Sequence, residues 1–169
     1  MIPSFNTQLQ VVIRALREVV APVLPQGEKQ AVEQLHLSLA MLTFIREKLP
    51  YARRYHRLEL ERYLELGEKA LALVEPRCAT LGQALKDGRA ELARPQAEIE
   101  DYLYVTRRLR ERLAALVTEA AGKPHEQKLD ALILEASKAL ILQERAWFVP
   151  YGFELRPETL PTMDQLLKE

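Results

Sequence analysis

Residues 60–85 read LERYLELGEKALALVEPRCATLGQAL, and the apolar or small positions in this stretch recur alternately every four and every three residues. These positions are Leu60, Leu64, Gly67, Leu71, Val74, Cys78, Leu81 and Leu85. Such a heptad pattern keeps one apolar stripe of a helix facing a partner over many turns, because its period nearly matches that of the helix. The stretch therefore predicts a long, packed helix and indicates an all-α fold.

Pro76 interrupts this predicted helix. A proline inside a helix removes one backbone hydrogen bond and clashes with the preceding turn, whereas at the first turn of a helix it is tolerated. The sequence allows two interpretations: one kinked helix over residues 51–87, or a helix that ends near Pro76 and a second that begins there. A kink would open space between helices, so it would favour a pocket.

The composition fits a single helical domain over residues 1–169. The chain is 48% hydrophobic, and the strong helix formers Leu, Ala, Glu, Arg, Lys and Gln dominate. The 24 Lys and Arg residues balance the 24 Asp and Glu residues, so nucleic acid is not expected as the main partner. The single cysteine excludes an internal disulfide. Neither a signal peptide nor an apolar run that could span a bilayer is recognisable, and a cytoplasmic protein without membrane attachment is expected.

Hydrophobic periodicity predicts four further helices. The first begins after Ser4 or Asn6 and ends at the prolines at 22 and 25, and the second covers residues 28–48. A break is predicted at Pro50, and one continuous helix with a kink at Pro50 is the alternative. The second helix is apolar on two sides, which is typical of a helix buried in the middle of a bundle. After residues 60–85, Asp87-Gly88 predicts a turn and residues 89–94 a connection. Residues 96–121 and 124–148 are the last two predicted long helices.

The C-terminal residues predict a different structure. Four helix-disfavouring residues, Pro150, Gly152, Pro157 and Pro161, indicate an irregular segment over residues 149–161. Thr162 and Gln165 have the spacing of a capping box, which predicts a short final helix over residues 162–168. The predicted fold is thus an up-and-down bundle of four to five long helices with a capping C-terminal tail.

Two pairs of residues have spacings that metal ligands use. Glu33-x-x-His36 matches the motif of carboxylate-bridged di-iron bundles, and His56-x-x-Glu59 offers the same residues in reverse order. In a hairpin that turns near Pro50, however, the two histidines would be offset by about 10 Å along the helices. These four residues are therefore weak candidates, and neither a metal nor another cofactor is predicted.

Basic residues cluster with aromatic ones just after Pro50. Arg53, Arg54 and Arg57 alternate with tyrosines, a mixture that sites for single-stranded nucleic acid also use. Arg57 can pair with Glu61 one helical turn later, which favours a solvated, salt-bridged helix face instead. Binding of nucleic acid or another anion through these arginines is a third functional hypothesis.

Four of the eleven aromatic residues lie within seven positions, at Trp147, Phe148, Tyr151 and Phe153. They could close the open end of the bundle as a purely structural plug. They could also cover a pocket between helices or anchor a partner protein, since aromatic residues often dominate binding.

The chain contains neither a Gly-rich phosphate loop nor a nucleophile elbow, and it has no Cys-x-x-Cys motif. This favours a non-enzymatic interaction or assembly protein that self-associates, with a homodimer as the expected form. The alternative is a ligand-binding or catalytic bundle with an interhelical pocket closed by the aromatic tail.

Overall fold

The computed structural model describes residues 2–25, 27–74 and 78–168. Within these ranges the regular structure is entirely helical, which confirms the predicted all-α class. The chain divides into two compact units. We call Met1–Tyr51 with Trp147–Leu155 the hairpin unit, and Ala52–Ala146 with Arg156–Glu169 the bundle unit. A single domain over the whole chain stays a prediction.

The hairpin unit contains two helices joined by a short connection. Helix α1 covers Phe5–Ala15 and begins at the predicted cap, since the Ser4 hydroxyl accepts a hydrogen bond from the Thr7 amide at 3.2 Å. It continues as a π-helical turn over Leu16–Val20 and a 3₁₀ turn over Ala21–Val23. Helix α2, Lys29–Lys48, runs back along α1, so that Arg46 donates to Asn6 Oδ1 at 2.9 Å.

Helix α3 covers Ala52–Leu73, so the predicted break at Pro50 is present. The next helix, α4, covers Ala79–Ala93, and Pro76 lies outside the described residues. Helices α3 and α4 are antiparallel, with Gly67 against Leu85 and Leu64 against Gly88. One kinked helix over residues 51–87 is therefore wrong, because the two halves of the heptad stripe pack against each other.

Gly88 lies inside α4 rather than in the predicted turn. A β carbon at Gly88 would come within 2.9 Å of Leu64 Cδ2 and 3.4 Å of Leu109 Cδ1. The Asp-Gly pair is typical of turns when read locally, but here the missing side chain lets three helices approach one another. The predicted connection over residues 89–94 is also wrong, because α4 continues to Ala93.

Helix α5 covers Ile99–Ala120 and begins with a capping box formed by Glu98 and Asp101, slightly later than predicted. Helix α6 covers Glu126–Phe148. Contacts fix the helix directions: α5 runs parallel to α3, since Arg53 contacts Tyr102 and the Arg110 guanidinium lies over the Tyr63 ring.

Helix α6 runs antiparallel to α3, because Arg62 donates to the Ala139 carbonyl and Gln143 donates to the Tyr55 carbonyl. Helices α3 to α6 thus alternate in direction, which confirms the predicted up-and-down bundle. Their core is a single cluster that includes Leu60, Leu64, Leu81, Tyr102, Leu109, Leu113 and Leu129.

The C-terminal segment contains 3₁₀ turns over Val149–Tyr151 and Pro157–Thr159 and a short helix α7, Met163–Leu166. The predicted capping box is present, with the Gln165 backbone N–H donating to the Thr162 hydroxyl at 3.3 Å. Met163 and Leu166 are buried, which confirms a short final helix.

Candidate interaction surface and ligand cleft

The hairpin unit buries much less apolar surface than the bundle unit. Among the described residues, its buried apolar side chains are Ile13 and Leu39, whereas all the others belong to the bundle unit. A unit of this size needs a larger hydrophobic core to offset the entropy cost of ordering its chain. Its exposed apolar side chains are therefore candidates for a binding surface.

Apolar residues recur at heptad spacing along α1 and through the π-helical and 3₁₀ turns after it. We call them the N-terminal stripe: Phe5, Leu9, Val12, Leu16, Val19 and Val23. Phe5 is 75% exposed, Val12 46%, Val19 65% and Val23 75%. The spacing alternates between four and three residues, the same heptad pattern as in residues 60–85. The sequence shows most of this apolar face by its helical spacing, but the spacing does not show that the face is exposed.

The residues that border the N-terminal stripe are uncharged. In the heptad these flanking positions are occupied by Asn6, Gln8, Ile13, Ala15, Val20 and Pro22. The charged residues of this segment lie elsewhere on the helix, and Arg14 pairs with Glu18 at 2.7 Å. Two stripes could therefore face each other in either direction without like charges meeting.

Helix α2 exposes a second set of apolar residues. Leu37 is 56% exposed, Met41 48% and Ile45 40%. The prediction that α2 is buried in the middle of a bundle is wrong, because α2 packs on α1 in a two-helix hairpin that covers only part of its surface.

Three of the four predicted aromatic residues gather on Phe44 of α2. The ring of Tyr151 stacks on it at 4.4 Å, that of Phe148 at 5.9 Å, and that of Trp147 meets it edge-on at 6.1 Å. Phe153 stacks on Tyr151 but remains 87% exposed. This cluster fixes the segment after α6 onto α2 within the hairpin unit.

Lys48 extends this cluster with a cation. Its ammonium lies 5.5 Å from the centre of the Trp147 ring, and burial lowers the pKa of Lys48.

A cleft of about 360 Å³ lies beside the aromatic cluster, again within the hairpin unit. Its lining residues are Arg17, His36, Leu39, Ala40, Thr43, Phe44, Pro150 and Tyr151. They include two potential cations and no carboxylate. A larger groove of about 820 Å³ shares His36 and Ala40 with this cleft and extends along α2 toward Lys29.

The four weak metal candidates fall into different units. Glu33 and His36 line the larger groove of the hairpin unit, whereas in the bundle unit His56 Nδ1 lies 3.1 Å from Glu59 Oε2. Within the described ranges, no group of three or more His, Cys, Asp or Glu side chains could hold a metal ion.

The predicted basic cluster contacts the connection between α4 and α5. Arg53 donates to the carbonyls of Ala97 at 3.0 Å and Pro95 at 3.1 Å, and its guanidinium lies over the Tyr102 ring. Arg57 forms the predicted pair with Glu61 at 3.0 Å and also donates to the Leu92 carbonyl.

Arg54, the third arginine of the predicted cluster, is exposed. The contacts of Arg53 and Arg57 give them a structural explanation that needs no nucleic acid.

Cys78 immediately precedes α4, and its Sγ lies 3.2 Å from the Thr80 hydroxyl. This hydrogen bond, together with backbone N–H groups at the start of the helix, lowers the pKa of the Cys78 thiol. The Cys78 side chain is partly buried: it packs against the core cluster and also lines the edge of a groove beside the first turn of α4.

No protein-family model, curated protein or solved structure significantly matches this chain. Among the described helices, none combines the length and the apolar character needed to cross a membrane.

Proposed function

We propose that this protein is a non-enzymatic assembly protein that forms a homodimer through its hairpin unit. The observation that carries the proposal is the N-terminal stripe, a regular heptad of apolar residues of which Phe5, Val12, Val19 and Val23 remain exposed. Helices with this spacing associate by inserting the side chains of one helix between those of another. The same stripe on a second copy supplies the matching surface.

The small hydrophobic core of the hairpin unit supports the same proposal. Full burial of a valine, leucine or phenylalanine side chain contributes about 1.5–3 kcal/mol. In a two-fold symmetric dimer each stripe residue is buried in both copies, so every position contributes twice. Pairing of two hairpins would produce a four-helix arrangement with an interior that one hairpin lacks.

The uncharged flanks of the stripe favour a second copy over a charged partner. A partner helix selected by charge is usually recognised through acidic or basic residues beside the apolar seam. The stripe has no such residues at its flanking positions. A cytoplasmic location also stays part of this proposal.

Substitutions in α1 test the proposal. Val12→Glu and Val19→Glu place a charge in the stripe, whereas Val11→Glu places it on the same helix outside the stripe, at a position that is 63% exposed. Size-exclusion chromatography with light scattering should show a dimer for the unmodified protein and for Val11→Glu, and a monomer for the two stripe variants.

Circular dichroism should show the same helix content in all four proteins, because each substituted side chain is exposed in the isolated chain. A dimer that persists in both stripe variants would reject the stripe as the interface.

The two other hypotheses receive unequal support. Nucleic-acid binding through Arg53, Arg54 and Arg57 has less support, since Arg53 and Arg57 contact the α4–α5 connection. Ligand binding under the aromatic tail has one observation in its favour, the cleft that Pro150 and Tyr151 line together with α2.

A further inference from the structure

We infer that the cleft of the hairpin unit binds a small aromatic carboxylate. The inference concerns a site separate from the N-terminal stripe, and it does not depend on self-association. It is based on the charge, the lining residues and the volume of the cleft.

The charge of the cleft favours an anion. Arg17 and His36 both line it, and its lining residues include neither Asp nor Glu. The structure shows no ion pair for Arg17 among the described residues, whereas Arg14, three residues earlier, pairs with Glu18. A guanidinium binds a carboxylate through two parallel hydrogen bonds, so Arg17 offers a fitting donor.

Arg17 owes its position to an irregular backbone. It belongs to the π-helical turn over Leu16–Val20, which inserts extra backbone into the helix before the 3₁₀ turn. Such π-helical turns often occur at functional sites.

The walls of the cleft favour an aromatic body on the ligand. Phe44 and Tyr151 form one side, and Pro150 extends it. The Tyr151 hydroxyl donates to Met41 Sδ at 3.3 Å, and the Thr43 hydroxyl donates to the Leu39 carbonyl at 2.8 Å. These contacts fix two polar lining groups, so Arg17 and His36 are the cleft residues left to bind the charged group.

The volume and the donor set restrict the ligand further. A cleft of about 360 Å³ lies at the small end of the range that ligand pockets span. A phosphate dianion is usually held by a cradle of several backbone N–H groups or by a cluster of cations. One arginine and one histidine suit a carboxylate better.

A matched pair of probes tests this inference. 2-Naphthoate carries the carboxylate, and 2-naphthamide has nearly the same shape without the charge. Isothermal titration calorimetry should show that the unmodified protein binds naphthoate at least roughly tenfold more tightly than naphthamide, as a charge-assisted hydrogen bond would provide.

Arg17→Met should reduce this preference to about one, whereas the control Arg14→Met should leave it unchanged. Absence of naphthoate binding would overturn the inference, and so would equal binding of the two probes or a preference that survives in Arg17→Met. The stripe variant Val12→Glu should retain the preference, which separates this test from that of self-association.

Discussion

Gly88 of α4 lies directly against Leu64 of α3, where a β carbon would be only 2.9 Å from Leu64 Cδ2. The two residues are 24 positions apart in the same heptad-rich region, and they meet because α3 and α4 fold back on each other. The stripe in residues 60–85 is thus covered largely by its own chain. This contact buries both halves of the stripe within the bundle unit, whose core is much larger than that of the hairpin unit.

The close approach at Gly88 predicts opposite effects for the same substitution at two positions of α4. Gly82→Ala should stabilise the protein by about 0.5–1 kcal/mol, because alanine favours a helix and its β carbon would meet Leu71 Cδ2 at an ordinary 3.9 Å. Gly88→Ala gains the same propensity but must displace leucine side chains, which typically costs about 1–3 kcal/mol. Urea denaturation should therefore find Gly88→Ala less stable than Gly82→Ala; equal stabilities would contradict the packing at Gly88.

Arg53 is expected to stabilise the α4–α5 connection. Its guanidinium donates to two backbone carbonyls and lies over Tyr102, so Arg53→Met should lower the free energy of unfolding by about 1.5–3 kcal/mol, the range for hydrogen bonds to charged groups. Arg107→Met, at an exposed position on α5, is the control and should have little effect. If the two variants unfold at the same urea concentration, the structural role of Arg53 is wrong.

Cys78 should react as a thiolate at lower pH than an ordinary cysteine. The Thr80 hydroxyl is the largest cause of the lowered pKa, so Thr80→Val should raise the pKa of the thiol toward its ordinary value. The rate of iodoacetamide alkylation, followed as a function of pH, measures this shift directly. Thr118→Val removes a distant hydroxyl that donates to the Ala114 carbonyl and should leave the pH profile unchanged. Identical profiles for the unmodified protein and Thr80→Val would disprove the contact.

Tyr55 should make the protein sensitive to alkaline pH. Burial raises the pKa of the Tyr55 hydroxyl well above the ordinary 10.0, with smaller contributions from nearby carboxylates. The unfolded chain therefore loses this proton first, and stability falls as the pH rises above about 10, by at most about 1.4 kcal/mol per pH unit for one group. Tyr55→Phe should flatten the decline in unfolding free energy between pH 10 and 11. An unchanged slope would show that Tyr55 ionises normally in the folded protein.

Local patterns in the sequence predicted several features of both units. The caps at Ser4 and Thr162 and the pair between Arg57 and Glu61 involve residues three or four positions apart, so the sequence shows them directly. The antiparallel packing of α3 on α4 was harder to predict. A heptad pattern looks the same whether it packs against a separate helix or against the second half of the same stretch. Gly88 was wrongly predicted to lie in a turn, because the residues that require a glycine there come from α3 and α5 and are distant in sequence.

The candidate sites depended even more on tertiary contacts. The sequence shows the aromatic residues at positions 147–153 as a group, but their partner Phe44 lies about a hundred positions earlier. No local feature of the sequence indicates that Arg17 and His36 line the same cleft. The exposure of the N-terminal stripe also could not be foreseen, because apolar periodicity indicates that a face is covered and does not indicate by what.

Sedimentation equilibrium of the unmodified protein beside Val12→Glu tests the central claim most directly. We predict that the average mass of the unmodified protein rises from 19.4 kDa toward twice this value across the micromolar range, because the N-terminal stripes of two copies pair. Val12→Glu should remain at 19.4 kDa over the same concentrations. A constant mass of 19.4 kDa for the unmodified protein would contradict self-association through the hairpin unit.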